Sequence, residues 1–535
     1  MVVISRKAES VSAETLTGKT FSFIHIRRNL LKNSAIMGAC RFITSALSLF
    51  TIPVIIYKLG IIGYGTWETL LAASSFSTIF QTAISGTLLW RISTAYGAND
   101  EREARRILGI GLTIMLLLFA VISITVWILS GRILSLFNVP AQFSRMAFLL
   151  LPLIVSMVTL SGVNEAFASY ISGHQKTGLV TIIQTLALIT YHVTTIILLL
   201  SGGGMWSLLA GSVCSFIITF CGLLVVALRV CSKERLYPAI PSRSDLISMN
   251  KYAGYLLIGG ISTALRGQTD KLVLASFTSP IVVGYYGIAS RLAGLVMEIS
   301  NFFYVPMIAA AGALYTSGDW GAVRRLYSNM MLMVPFVVGA FVVIVAGLYD
   351  RLIVMWVGRD ISEVAPFLFL LVWANMFAVI MTGPGTALCK GIGRLGMETV
   401  YVSVNLVLNL ILTIALVSWL GGIGTVIASS LSWSLTSMLF LILMHRNLNL
   451  PLVATKRGAY FIAIIMAVVV VARWGIGYFP SSGSRMDALL FAIPAGISII
   501  ILYTILLALF RIINFLTLFD MVRNFRKQVN AALLK

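Results

Sequence analysis

The chain has 535 residues, 59% of them apolar and 11% charged, with a formal net charge of +21 and a mean hydropathy of +0.97. Soluble globular chains carry about 25% charged residues, so this composition excludes a soluble domain and requires a polytopic membrane protein. The cations are scattered among short connecting segments, with no long basic run or aromatic-interleaved stripe, so they mark membrane topology rather than nucleic-acid binding.

The N-terminal stretch, up to Lys32, is polar and basic and lacks the pattern of a cleaved signal. We expect no cleavage and a cytoplasmic segment over 1–33. Apolar runs long enough to cross a hydrocarbon core of about 30 Å lie near 34–56, 67–90, 107–130, 146–170, 179–200, 205–228, 252–275, 284–311, 327–348, 364–387, 398–419, 423–444, 457–475 and 488–510, which makes 14 predicted helices. The run over 67–90 is rich in Ser, Thr and Ala and suits a helix that faces a cavity or a neighbour. With the N-terminus inside, 28 of the 39 Lys and Arg fall on the inner side, 7 on the outer side and 4 within spans. That bias puts both termini in the cytoplasm.

The chain repeats itself. Gly63-Tyr64 returns as Gly284-Tyr285, Arg105-Arg106 as Arg324-Arg325, Gly173 as Gly391 and Gly202 as Gly421, all at a nearly constant offset. Six helices per repeat give both halves the same orientation, with a symmetry axis along the membrane normal. The expected organisation is a six-helix bundle over 34–228, a basic cytoplasmic linker over 229–251, a second bundle over 252–444, helices 13 and 14 within 445–510, and a basic tail over 511–535. The Gly-Gly turns near 202 and 421 suit tight outer connections, and the paired arginines suit anchoring to anionic headgroups.

Charges at membrane depth are costly and tend to face a bundle interior or a wet cavity. Arg266, Asp270 and Lys271 crowd the seventh predicted helix, with Arg266 and Asp270 four apart on one face. They read either as a structural ion pair or as a cavity site, in which Arg266 meets an anionic substrate and Asp270 orients it or takes a coupling cation. Arg41 in the first helix has no local partner and aligns one turn before Arg266 in the repeat, so each half puts a cation into its first helix. Arg41, Arg266, Lys271 and Arg291 are the candidate cavity cations. A guanidinium suits phosphate because its planar fork donates two parallel hydrogen bonds. Asp270, Glu298, Glu68 and His192 are the candidates for ion coupling or orientation.

The bland readings stand beside these. Arg291 and Glu298, seven apart, share a face. Glu68 and Arg91, at the ends of the second span, suit the interface, Arg91 by snorkelling. His192, next to Tyr191, suits a satisfied buried histidine, with proton coupling as the alternative. Glu165, late in the fourth helix, is left open. Trp67, Trp90, Trp206, Trp356, Trp419 and Trp474 suit an aromatic belt. The five cysteines, Cys40, Cys214, Cys221, Cys231 and Cys389, lack metal-ligand spacing, so neither a metal site nor a cofactor is expected. Gly173 to Gly178 is followed by Leu179 rather than Lys, so it is no phosphate-binding loop, and no nucleophile motif marks an enzyme.

The stretches "YKLGIIGYGTWETLL", "RGQTDKLVLASFTSPIVVGYYGIASRLAGL" and "ALCKGIGRLGMETVYVSVNLVLNLILT" resemble the multidrug/oligosaccharidyl-lipid/polysaccharide exporter superfamily, and within it the Wzx-type polysaccharide repeat-unit flippases. The resemblance covers roughly residues 30–445 and rests on the order and spacing of Gly, Tyr and small residues. It implies an all-α membrane protein with two pseudo-symmetric six-helix bundles around a central cavity plus two C-terminal helices. It also implies flipping of an undecaprenyl-diphosphate-linked oligosaccharide across the bacterial inner membrane, coupled to protons or sodium, with a glycan polymerase and a chain-length regulator as associates. The alternatives are a peptidoglycan-precursor flippase, a cation-coupled drug exporter, against which Arg41 and Arg266 weigh, and a glycan polymerase or ligase, against which the short outer loops weigh.

Overall fold

The computed structural model describes residues 13–230, 268–316, 318–358, 363–394, 396–448, 450, 452–479 and 485–510. All regular structure among them is helical. Helices α1 (Ala13–Ser74), α2 (Phe76–Gly97), α3 (Glu101–Leu134), α4 (Ala141–Gly173), α5 (Thr177–Leu200) and α6 (Trp206–Val230) build the first bundle. The second comprises α7 (Gln268–Phe277), α8 (Pro280–Thr316), α9 (Trp320–Gly347), α10 (Tyr349–Trp356), α11 (Val364–Phe377), α12 (Gly383–Gly391), α13 (Gly396–Leu420) and α14 (Gly422–Leu448). Two further helices, α15 (Leu452–Ile476) and α16 (Arg485–Leu509), pack on the second bundle. Twelve helices among the described residues are long and apolar enough to cross a membrane, which makes this a multi-pass membrane protein. Most of the seventh predicted helix with Arg266, most of the basic linker with Cys231, and the tail over 511–535 lie outside the described residues.

The second predicted span is displaced. Gly60 adopts φ 68°, a left-handed conformation that L side chains avoid, and interrupts α1. The chain reverses there, so the returning helix starts at Ile61 and, after a bend at Ser75, ends at Gly97. Its first turns carry Tyr64, Trp67 and Glu68 into the interior, each at most 3% exposed. These polar and aromatic residues depress a hydropathy window, which is why the apolar pattern starts too late. Trp67 is therefore core, not belt, whereas Trp90, Trp206, Trp419 and Trp474 are exposed as a belt requires. A second irregularity falls within 364–387. Pro384 cannot donate to the Ile380 carbonyl, and the ladder slips into a π turn over Ala378–Thr382 between α11 and α12.

The repeat is most exact in the turns. Helices α3 and α9 begin at Glu101 and Trp320, and α5 and α13 begin at Thr177 and Gly396, the same separation in both cases. The Asp100 carboxylate accepts from the Glu103 N–H at 3.0 Å, and Asp319, its counterpart in the repeat, accepts from the Ala322 N–H at 2.8 Å. Each is a side-chain cap on an otherwise orphaned helix start. Left-handed residues recur in step, Asn99 with Gly318 and Gln175 with Gly393.

The halves meet along α1 and α8. A Cβ on Gly65 would overlap the Pro280 carbonyl oxygen, and one on Gly284 would lie 2.8 Å from the Ile61 side chain. The glycines let the two backbones approach as far as small residues permit. Two polar contacts also join the halves. Asn138, after α3, donates its N–H to the Ala275 carbonyl at 3.0 Å and its side-chain amide to the carbonyls of Ser276 and Thr278, capping the end of α7. Trp356, at the end of α10, donates its indole N–H to the Leu49 carbonyl at 2.7 Å. That carbonyl is free because Pro53, four residues on, has no N–H to give it. Trp356 is thus a bridge between halves rather than a membrane-surface anchor.

Three arginines, Arg351 of α10, Arg473 of α15 and Arg485 of α16, are structural. Arg473 pairs with Asp350 at 2.8 Å, Arg485 donates to the Val357 carbonyl at 2.6 Å, and buried Arg351 donates to the Phe479 carbonyl at 3.1 Å. Tyr503 of α16 donates to the Pro335 carbonyl at 3.1 Å.

Gly65→Ala is expected to lose about 1–3 kcal/mol or more through overpacking against backbone, seen as a lower melting temperature in detergent. Gly97→Ala, where a Cβ meets open space, should melt within experimental error of the parent. Equal melting of both variants would rule out the seam.

Candidate functional site

A cavity of about 700 Å³ opens within the first bundle. Its walls carry Ser45, Ser48 and Thr51 of α1, Ser161, Asn164 and Glu165 of α4, Gln184, Tyr191 and His192 of α5, and Ser212, Ser215 and Thr219 of α6. Among the described residues, Arg291 of α8 is the one that reaches it from the second bundle. Hydroxyls recur at three- and four-residue spacing along these helices, so each helix turns one polar stripe inward. Polar side chains of this kind suit packed or wet faces in a membrane. That spacing is a usable sequence signal for Ser45, Ser48, Ser212, Ser215 and Thr219, which sit in charge-free runs and carry no other mark of the cavity.

A charge cluster spans the boundary between the halves. The Glu68 carboxylate accepts from the Lys271 ammonium at 2.6 Å and lies 3.9 Å from the Arg291 guanidinium. The Glu68 and Lys271 side chains are 4% and 10% exposed, whereas Arg291 is 48% exposed. One carboxylate therefore answers two cations, and the uncompensated positive charge is the one that faces the cavity. Gly287 makes room for this arrangement, since a Cβ there would press on Glu68 and Tyr64 at 3.2 and 3.3 Å. Glu68 is thus a buried partner and not the interface residue its place at a span end suggested; the early start of the returning helix moves it two turns inward. Lys271 is tied to Glu68 and does not line the cavity.

Arg41 lies 3.8 Å from Glu298, both about half exposed, a geometry worth little on its own. Arg291 and Glu298 therefore turn to different partners instead of sharing one. Arg41 stands one turn before the lining residues Thr44 and Ser45. Arg91 pairs with Glu103 at 3.1 Å and is only 17% exposed, so it is braced by α3 rather than snorkelling. Arg266 lies outside the described residues.

Asp270 is buried in the second bundle and meets hydroxyls. It accepts from Ser429 at 2.7 Å, Tyr286 at 2.8 Å and Thr413 at 3.3 Å, from α14, α8 and α13. Asn409 donates to Ser429 at 3.0 Å and extends the network. Among the described residues no cation pairs with Asp270, so a bare carboxylate sits in a cage of neutral oxygen atoms. His192 has its Nδ1 2.8 Å from the Thr51 hydroxyl. That hydroxyl spends its proton on the Leu47 carbonyl at 2.9 Å, so the imidazole Nδ1–H is the donor, and His192 is a satisfied buried histidine. Among the described residues no group of His, Cys, Asp and Glu could hold a metal ion.

The family model described as "Polysaccharide biosynthesis protein" matches residues 30–312. A curated relative, the probable flippase AglR of Haloferax volcanii, is 24% identical over 242 residues, which are 43% of this chain. The chain spans about half of that relative, 48% of its length. Among solved structures, the lipid II flippase MurJ in an inward closed conformation superposes with a TM-score of 0.68 at 14% identity, over 89% of this chain and 99% of its own. An inward-facing multidrug resistance MATE family transporter of the MOP superfamily gives 0.63 at 14% identity, over 76% and 94%. These likenesses establish a shared fold.

Removing one member of a buried ion pair strands the other charge, at a cost of about 3–5 kcal/mol. Lys271→Met should therefore melt well below the parent, and adding Glu68→Gln should recover much of the loss. Additive losses in the double variant would show that the two side chains are not coupled.

Proposed function

Because the chain belongs to the polysaccharide biosynthesis protein family, we propose that it is a flippase of the MOP superfamily that carries an undecaprenyl-diphosphate-linked oligosaccharide across the bacterial inner membrane. The observation that carries this reading is Arg291, a half-exposed cation presented to a hydroxyl-lined cavity at membrane depth. A glycan head cannot cross bare hydrocarbon without losing its hydrogen bonds. The cavity offers it hydroxyls and amides, while Arg291, with Arg41 one turn from the lining, meets the diphosphate. The polyprenyl tail stays in lipid. The name of the archaeal relative supports flipping.

In this reading both termini are cytoplasmic and the Gly60 end faces outward. The contacts of Gly65, Asn138 and Trp356 close the outer side, and the halves rock about the α1–α8 seam to expose the head. Asp270 binds the coupling cation, a proton or sodium, because among the described residues its carboxylate is held by neutral hydroxyls alone.

Arg291→Ala should stop glycan export at normal protein levels, with Arg291→Lys keeping part of it, measured as surface polysaccharide in a strain lacking its own flippase. Normal export in Arg291→Ala would overturn the reading. Asp270→Asn keeps the hydrogen-bonding shape and removes the charge. It should abolish stimulation of transport by imposed proton or sodium gradients in proteoliposomes, and an unchanged response to both gradients would remove Asp270 from the coupling step.

A further inference from the structure

The α4 wall of the cavity has a chemistry that diphosphate recognition does not use. Asn164 and Glu165 are consecutive on α4, and both line the cavity. Asn164 is 5% exposed, and its Oδ1 atom has no hydrogen-bond partner. Among the described residues Glu165 has neither an ion pair nor a hydrogen bond. Both are acceptors, and Glu165 is an acceptor with a negative charge. A buried acceptor without a donor has lost its water and gained nothing in return, so this wall is complete only when something in the cavity supplies donors.

The same cavity is lined by Ser161 of the same helix, Gln184 of α5 and Ser215 and Thr219 of α6, all neutral. The helix-internal carbonyls already take the protons of two of them: Ser161 donates to Val158 at 2.6 Å and Thr219 to Ser215 at 2.9 Å. Their hydroxyls therefore face the cavity as acceptors too. The acceptors of Asn164, Glu165, Ser161 and Thr219 recognise a ligand rich in O–H and N–H groups, and the Glu165 carboxylate repels an anion.

Resting on the flippase reading, the geometry points to Asn164 and Glu165 as specificity-determining residues that accept hydrogen bonds from the glycan. They favour a head whose sugars present hydroxyl or amido donors and disfavour one carrying a carboxylate, such as a uronic acid. The cavity is then divided by chemistry. Arg291 selects the phosphate-bearing end that every lipid-linked substrate shares, and the α4 wall selects the sugar that distinguishes one from another.

Three probes separate these roles when titrated into the purified full-length protein in detergent: a short-chain polyprenyl diphosphate, the same lipid bearing N-acetylglucosamine, and the same lipid bearing glucuronic acid. The parent should bind the N-acetylglucosamine probe most tightly and the glucuronic acid probe most weakly. Glu165→Gln should lose about tenfold or more for the N-acetylglucosamine probe, as expected for a charge-assisted hydrogen bond. It should also narrow the gap to the glucuronic acid probe and leave the sugar-free diphosphate unchanged. Asn164→Ala should weaken the N-acetylglucosamine probe and leave the diphosphate unchanged. If Glu165→Gln binds all three probes as the parent does, or loses all three alike, the proposal is overturned while the flippase reading stands. If the parent binds none of the three, the flippase reading itself fails.

Discussion

The buried ion pair between Glu68 and Lys271 is the interaction on which the rest of this molecule turns. It joins the returning leg of α1 to α7, and so one half of the chain to the other, at a depth where an unmatched charge is costly. Because Glu68 is already neutralised by Lys271, the second cation beside it remains electrically visible. Arg291 owes its usefulness to a carboxylate that is occupied elsewhere. The glycine seam serves the same arrangement, since only close backbones bring Glu68 within reach of both α7 and α8.

The two halves are alike in their turns and unlike in their interiors. Caps, left-handed residues and helix starts recur in step from one half to the other. Yet the first bundle holds the cavity, while the second is filled by Tyr401, Trp433 and Phe440, whose rings lie 5.2 and 6.2 Å apart around Tyr401, and by Tyr304, which donates to the Val379 carbonyl at the π turn. Among the described residues, the duplicated geometry thus differs in what lines each interior. The second bundle keeps a small polar centre around Asp270.

Much of this was legible in the chain itself. Hydropathy located the spans because the bilayer sets their length, and the repeat showed through because close packing at Gly284 and Gly391 and a left-handed turn at Gly421 constrain residue type. What hydropathy could not show is which charges meet. Arg291 and Glu298 share a face by spacing, but each finds its partner on α1, in Glu68 and Arg41, through helix packing that no local pattern encodes. The neutral lining of the cavity was missed for a related reason. Serines and threonines in an apolar run satisfy their own helix carbonyls and leave little trace in composition, so only their helical spacing marks the wet face. Glu165 was visible as a charge but not as an acceptor, since that depends on no cation among the described residues pairing with it.

The bond from Trp356 to the Leu49 carbonyl carries a different lesson. Pro53 leaves that carbonyl permanently short of a donor, so it is an open socket in the side of α1, filled by an indole from the far half. Water can fill the same socket. Any separation of the halves at that end lets solvent replace the indole, and such an exchange of one hydrogen bond for another changes the free energy by only about 0.5–1.5 kcal/mol. A fastener of this kind holds two surfaces in register while they are dry and lets go with little resistance once they are wet, so hydration itself acts as the release.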